Sequence, residues 1–118
     1  MPNLPHSHDG HSEKLFGHMP APEEFTASAD LFKLMSDGTR IKLFWLLCHC
    51  EECVLNLSAM MDMSSPALSH HLKLLKSCSL IVSRREGKEV YYRAADNNQA
   101  NALHQIIEHV AEITCPKG

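Results

Sequence analysis

The chain has 118 residues, 44% of them hydrophobic, and a formal net charge of −3 at pH 7. This length allows one hydrophobic core, and the negative charge argues against a generally basic nucleic-acid binder. No run approaches the roughly 20 apolar residues that span a bilayer, and no signal peptide is evident, so we expect a cytoplasmic protein without membrane contact.

The first 22 residues are rich in proline and histidine. They contain four of the six prolines and few apolar residues; their histidines are His6, His8, His11 and His18. Such a composition predicts a flexible arm over residues 1–22. The folded domain is therefore expected to cover residues 23–118.

Three helices are predicted in the first half of this domain. The first covers about 23–35 and ends at Asp37-Gly38. Thr39 is placed to cap the second helix, whose segment IKLFWLLC is apolar nearly all round and therefore central. The third helix is short, about 56–61, and ends at Asp62, a residue type that tolerates left-handed backbone geometry.

The second half is predicted to contain a helix, a hairpin and a last helix. Ser64 caps the fourth helix, which has Pro66 in its first turn and reaches about Ser77. The extended runs IVSRR and VYYR, joined by EGK, predict a β-hairpin. The last helix, about 97–114, carries a narrow apolar seam suited to a partner helix: Ala100, Leu103, Ile107, Val110 and Thr114.

This order of elements predicts a mainly α, α+β winged helix-turn-helix with about five helices and a β-hairpin wing. In the fourth helix the spacing of Leu68, Leu72 and Leu75 places all three on the inward face. The opposite face shows small hydrogen-bonding groups near its start and a cation further along, as a helix in the major groove requires. These outward residues are Ser65, Pro66, Ser69, His70 and Lys73.

The charge distribution favours the same function. Residues 64–93 carry six basic and two acidic side chains, a formal charge of +4, whereas the rest of the chain carries −7. A basic face on an acidic body suits a protein that meets double-stranded DNA with one surface, although a solvated charged face would look similar. We expect Ser65, Ser69 and His70 to read bases. The residues expected to hold phosphates are Lys73, Arg84, Arg85 and Lys88.

Three segments, LMSDGTRIKLFWLL, MSSPALSHHLKLLKS and SRREGKEVYYR, resemble the ArsR/SmtB family of bacterial metal-responsive repressors. The resemblance extends over about residues 31–112. It implies a homodimer, paired through its terminal helices, that binds an operator without its inducer and dissociates when the inducer binds. Zn²⁺ or a related divalent metal is the expected inducer.

The resemblance also implies a metal site on the last helix. The family has an Asp-x-His pair early in this helix and a His-x-x-Glu or His-x-x-His pair late, and the corresponding residues are Asp96, Asn98, His109 and Glu112. Asn98 departs from the pattern, because an amide oxygen is a poor zinc ligand. Water, Asn98 or an arm histidine would then fill the fourth position.

Helix geometry decides how such a site would be assembled. Asp96 and His109 lie thirteen residues apart, which is about 20 Å along a helix that rises 1.5 Å per residue. One chain cannot bring them to one ion, whereas an antiparallel partner helix can. Metal between the subunits would then alter the spacing of the two recognition helices. The alternative is three ordinary polar residues on an exposed helix face.

The segment CHCEEC, residues 48–53, is a second candidate sensor. Cys53 matches the first cysteine of the family's thiolate site, but Leu55 stands where the second would be. Cys48, Cys50 and Cys53 could hold a thiophilic metal or metalloid, or form a reversible disulfide under oxidation. A zinc ribbon is excluded, because the two remaining cysteines, Cys78 and Cys115, do not supply a second pair. Cys48 is also explained as a small apolar residue at the end of a buried helix.

Three functional hypotheses remain. The first is a repressor that senses metal on its last helix, and the second is the same repressor with a thiol sensor in CHCEEC. The third is a metal buffer or chaperone that uses the arm histidines and the cysteines. An enzyme is not expected, because the sequence offers no nucleophile–base constellation and no phosphate-cradling glycine loop.

Overall fold

The computed structural model describes residues 4–6 and 8–112. The chain divides into two compact units, residues 1–32 and 33–118. Helix α1 (His11–Gly17) lies in the first unit and within the predicted arm, and helix α2 (Pro22–Leu34) follows. Neither helix has a buried residue. The domain boundary after residue 22 stays a prediction.

The second unit contains four further helices and three strands. They are α3 (Gly38–His49), β1 (Glu52–Cys53), α4 (Val54–Met61), α5 (Ser65–Ser77), β2 (Ile81–Glu86), β3 (Glu89–Ala94) and α6 (Asn98–Ala111). This order confirms the predicted winged helix-turn-helix, and the structure adds α1 and β1 to the predicted elements. No helix in the described part of the chain is long and apolar enough to cross a membrane.

The core is built around α3 and α5. Leu43 and Phe44 of α3 are completely buried, as its apolar composition predicts. The predicted inward residues of α5 are buried as well: Leu68, Leu72 and Leu75. Because one face of α5 is held in the core, the opposite face is available to a partner.

Side-chain caps and one residue with left-handed backbone geometry define the ends of α3, α4 and α5. The Asp37 side chain, and not Thr39 as predicted, caps α3 by accepting a hydrogen bond from the Arg40 backbone N–H at 2.9 Å. This bond lowers the pKa of the Asp37 carboxyl. Asp62 ends α4 with a φ of 52°, and Ser64 caps α5, both as predicted.

The wing is an antiparallel sheet with strand order β1-β3-β2. Glu86 pairs with Glu89 at its tip, where Gly87 takes a φ of 61° that favours glycine. Strand β1 was not predicted: its two residues, Glu52 and Cys53, are too few to show a period. Since β1 pairs with β3, the segment CHCEEC is attached directly to the wing.

Helix α6 has two differently used faces. Ala100 and Leu103 are buried in the chain's own core, so the prediction that they belong to a partner seam is wrong. On the outer face Ile106 and Val110 are 51% and 77% exposed. Thr114, the last residue of the predicted seam, lies outside the described residues. The apolar surface that remains for a partner is therefore the outer face.

The Ser64 cap leads to a stability prediction. Its hydroxyl accepts the hydrogen bond of the Ala67 N–H at 3.3 Å, so Ser64→Ala should lower the free energy of unfolding by about 1 kcal/mol. Ser64→Gly should cost only a few tenths of a kcal/mol, because glycine lets water reach the helix end. Urea unfolding followed by circular dichroism measures both. Equal stability of the wild type and Ser64→Ala would contradict the assigned cap.

Candidate nucleic-acid interface and metal centre

The outward face of α5 presents most of the predicted DNA-contacting residues to solvent. Pro66, Ser69, His70 and Lys73 are exposed. Ser65 is half-buried, and its hydroxyl lies 3.1 Å from the Ser58 hydroxyl of α4. This hydrogen bond ties the two helices of the helix-turn-helix together, so Ser65 has a structural contact besides its predicted contact with a base.

The wing arginines differ in what surrounds them. Arg84 donates to the Glu51 carboxylate at 2.8 and 2.7 Å and to Glu86 at 2.6 Å, and it lies 4.8 Å from the centre of the Tyr91 ring. These bonds raise the pKa of Arg84 and lower that of Glu51. Within the described residues no ion pair involves Arg85 or Lys88. A phosphate must therefore compete with two carboxylates for Arg84 but not for Arg85.

Three potential metal ligands meet between α3 and α6, and sequence reasoning did not predict them. They are His49, His104 and Glu108, whose ligand atoms all lie within 4.8 Å of one another. The two histidine Nε2 atoms are 3.1 Å apart, His104 Nε2 is 3.2 Å from Glu108 Oε1, and His49 Nε2 is 3.9 Å from Glu108 Oε2. We call this group the His49 cluster.

The fold explains how the His49 cluster forms. His49 is the last residue of α3, and its ring packs on Trp45 with a centroid distance of 4.5 Å. His104 and Glu108 are four residues apart on α6 and continue the inward face that begins with Ala100. The inward face of α6 is thus apolar at its start and polar where it meets the end of α3.

The donor set fits a transition-metal ion. Two imidazoles and one carboxylate are ligands that Zn²⁺ accepts, and three protein ligands leave a fourth position for water. Without an ion, the same atoms can form a hydrogen-bonded histidine pair beside a carboxylate. The arrangement therefore supports either a metal centre or a small polar network.

The predicted last-helix ligands are not close together in one chain. Asp96 accepts a hydrogen bond from Asn101 at 3.3 Å, and Asn98 is the first residue of α6. His109 is exposed on the outer face, and Glu112 follows the helix with a φ of 55°. Among the described residues these side chains form no ligand cluster of three. A site between two subunits stays a prediction.

The cysteines of CHCEEC do not converge on one point either. Cys50 Sγ donates to the Leu46 carbonyl at 3.2 Å, and Cys53 is buried in β1. Burial raises the pKa of the Cys50 thiol, and the nearby Glu52 carboxylate adds to this effect. In the part of the chain that the structure describes, the only ligand triplet within 4.8 Å is the His49 cluster. The thiol sensor also stays a prediction.

A cleft of about 420 Å³ opens beside the His49 cluster, between the end of α3, the end of β3 and the start of α6. His49 and His104 line it together with Cys48, Cys50 and Asp96. Small ions and water can therefore reach the cluster from solvent. The sequence contained one signal for this site: His104 and Glu108 occupy helix positions in phase with the buried Ala100.

Comparison with known sequences identifies relatives of this chain. Residues 37–83 match the model of the bacterial regulatory protein arsR family. A transcriptional repressor SmtB homolog from Synechocystis is 38% identical over 84 residues, which are 71% of this chain and 64%, just under two thirds, of the relative. A cadmium resistance transcriptional regulatory protein CadC homolog from Staphylococcus aureus is 35% identical over 86 residues, 72% of this chain and 71% of the relative.

Solved structures show the same fold. A homodimeric winged helix-turn-helix DNA-binding domain from Mycobacterium bovis superposes with a TM-score of 0.68 at 26% sequence identity. The superposition covers 83% of this chain and 94% of that domain. The similarity therefore extends well beyond the helix-turn-helix.

His71 on α5 yields a prediction of pH dependence. Burial and the positive charge of Arg40 lower its pKa, although Asp37 acts in the opposite direction and His70 lies nearby. The unfolded chain then binds more protons, so stability should fall as the pH drops below about 6.5. His71→Gln should flatten this decrease in urea unfolding between about pH 7 and 5, whereas Ser69→Ala, on the exposed face of α5, should keep it. A decrease of the same size in His71→Gln would rule out His71 as its source.

Proposed function

The chain belongs to the ArsR/SmtB family of transcriptional repressors, and we propose that it is a metal-responsive repressor that binds operator DNA as a homodimer. Divalent metal releases it from the operator. The family consists of transcription regulators, so the chain is not an enzyme. Because its DNA partner lies in the bacterial cytoplasm, we place the protein there.

The observation that carries this proposal is the combination of an exposed recognition helix with a basic wing. Buried leucines hold α5 in the core, while Ser69, His70 and Lys73 face solvent. The first turns of such a helix can approach base edges, and the wing cations Arg85 and Lys88 can approach the flanking phosphates. Base contacts would give sequence specificity and phosphate contacts most of the affinity.

The outer face of α6 supports the homodimer. Ile106 and Val110 are largely exposed there, and His109 lies beside them. Burying this face against a second copy would remove apolar surface from water and place two recognition helices around a two-fold axis. The related domain from Mycobacterium bovis is described as homodimeric.

We propose a zinc-like divalent metal as the inducer. One relative is described as a cadmium resistance regulator. Antiparallel pairing of α6 would set Asp96 and Asn98 of one subunit near His109 and Glu112 of the other, and His109 would be the strongest donor of this set. An ion bound there would favour one angle between the subunits and so change the distance between the recognition helices.

A thiol sensor is the second candidate, and the observation in its favour is strand β1. Cys53 lies opposite Tyr91 of β3, so a soft metal or metalloid held by Cys48, Cys50 and Cys53 would act directly on the wing. The raised pKa of the Cys50 thiol argues against this candidate, since the thiolate is the form that binds metal.

A release experiment separates these sensors. Fluorescence anisotropy of a labelled duplex from the protein's own promoter is recorded under reducing conditions while Zn²⁺ or Cd²⁺ is added. If the inter-subunit site is the sensor, His109→Ala should bind the duplex like wild type but need at least tenfold more metal for release. Gln105→Ala, on the same outer face, should behave like wild type.

The other outcomes have equally clear meanings. Normal release of His109→Ala combined with loss of release in Cys53→Ser would transfer sensing to the thiols. Absence of sequence-specific binding by the wild-type protein would contradict the repressor and leave the metal buffer. DNA binding that no metal weakens would contradict the response to metal.

The unequal surroundings of the wing arginines predict unequal effects on DNA binding. Arg85→Ala should weaken binding severalfold and reduce the magnitude of the slope of log K against log salt by about 0.9, the contribution of one phosphate contact. Arg84→Ala should change the slope less, because Arg84 is already bound by Glu51 and Glu86. Titrations at four salt concentrations measure both slopes. An unchanged slope in Arg85→Ala would show that the wing does not contact phosphate there.

A further inference from the structure

We propose that the His49 cluster is an intrachain binding site for a divalent transition-metal ion of the zinc type. This site is distinct from the proposed inter-subunit set, because it shares no residue with it and needs no second subunit. It is also distinct from a thiol sensor, although His49 lies within CHCEEC. The proposal concerns metal binding by one chain and does not rest on operator release.

The distances within the cluster match those between ligands of one small ion. Donor atoms placed tetrahedrally at 2.0–2.1 Å from Zn²⁺ are about 3.3–3.4 Å from each other. The separations of 3.1 and 3.2 Å from His104 Nε2 lie close to this value. His104 Nε2 faces Glu108 Oε1, whereas His49 Nε2 faces Glu108 Oε2 at 3.9 Å, which is longer by about half an ångström. The carboxylate would therefore hold the ion through both oxygens, or through one oxygen after a small rotation of the glutamate side chain.

The cluster is also preorganised. The side chains of His49, His104 and Glu108 are only 17%, 24% and 16% exposed. Packing of His49 on Trp45 and on His104 limits its rotation, and α3 and α6 are already in contact through the core. Binding therefore orders few additional groups, which reduces its entropic cost.

The chemistry of the donors restricts the class of ion. Two imidazole nitrogens and one carboxylate oxygen suit Zn²⁺, Co²⁺, Ni²⁺ or Cu²⁺. Mg²⁺ and Ca²⁺ prefer oxygen ligands, and strongly thiophilic ions prefer the sulfur that this cluster lacks. The adjoining cleft leaves room for water as a further ligand.

The position of the site gives it a route to the wing. His49 is two residues before Glu51, and Glu51 contacts Arg84 and lies 3.7 Å from Arg93. An ion held by His49 and α6 would fix the end of α3, from which the chain continues to Glu51 and then into β1. The site therefore connects the terminal helix with the segment that holds a wing arginine.

The test measures metal binding by the full chain without DNA, in reducing buffer free of chelator. Co²⁺ is the probe, because its visible absorption reports coordination and its open shell quenches nearby indole fluorescence. Trp45 is the only tryptophan of the chain and packs on His49, so its quenching locates the ion. Zn²⁺ is then added as a competitor.

The variants are His104→Ala and the nearly isosteric Glu108→Gln, and the control is Gln105→Ala on the outer face of α6. Each of these two variants should weaken the Co²⁺ affinity read from Trp45 by at least tenfold. Even loss of a residue that only supports a metal ligand typically lowers metal affinity 10- to 100-fold. Gln105→Ala should bind within twofold of wild type. Circular dichroism checks folding, and Glu108→Gln carries the test if His104→Ala does not fold.

Three results would overturn the proposal. One is that the wild-type protein shows no saturable quenching of Trp45. Another is that His104→Ala and Glu108→Gln retain wild-type Co²⁺ affinity, which would leave only a hydrogen-bonded polar network at the His49 cluster. The third is that Gln105→Ala weakens binding as much as His104→Ala and Glu108→Gln do. Because no DNA is present, failure of this site and failure of operator release are recorded separately.

Discussion

The contact between α6 and the end of α3 is the interaction on which the other features depend. Ala100 and Leu103 anchor α6 to the core, and this orientation directs Ile106 and Val110 outward. The same orientation of α6 directs His104 and Glu108 toward His49. One helix therefore carries the apolar face that we propose for a second subunit and the polar groups that we propose for an ion, and neither use is available if the helix turns about its axis.

The segment CHCEEC serves as a junction. It ends α3, pairs with the wing as β1, and contributes His49 to one cluster and Glu51 to another. The sequence predicts a sensor from its cysteines, whereas in the structure His49 and Glu51 make its contacts with α6 and with the wing. Glu51 pairs with Arg84 and His49 contacts His104, so this segment links α6 to the wing by short, direct contacts.

Local sequence patterns predicted the recognition helix α5 and the turn of the wing well. The spacing of Leu68, Leu72 and Leu75, the Ser64 cap and the Gly87 turn each depend on neighbours within a few residues, and all are found in the structure. The His49 cluster joins residues 55 positions apart, and such a contact leaves no local period. Ala100 and Leu103 were wrongly assigned to the partner seam, because an amphipathic pattern does not tell whether a helix face meets its own core or another chain.

X-ray absorption at the zinc edge of the full chain, loaded with one equivalent of Zn²⁺ under reducing conditions, tests the central claim most directly. Two imidazole rings and light-atom ligands at about 2.0–2.1 Å are expected, without sulfur. A Zn–S distance of about 2.3 Å would place the ion in the cysteines. A single imidazole would place it at the proposed inter-subunit set on α6, and either result would contradict the contact of α3 and α6 as the preferred metal centre of the chain.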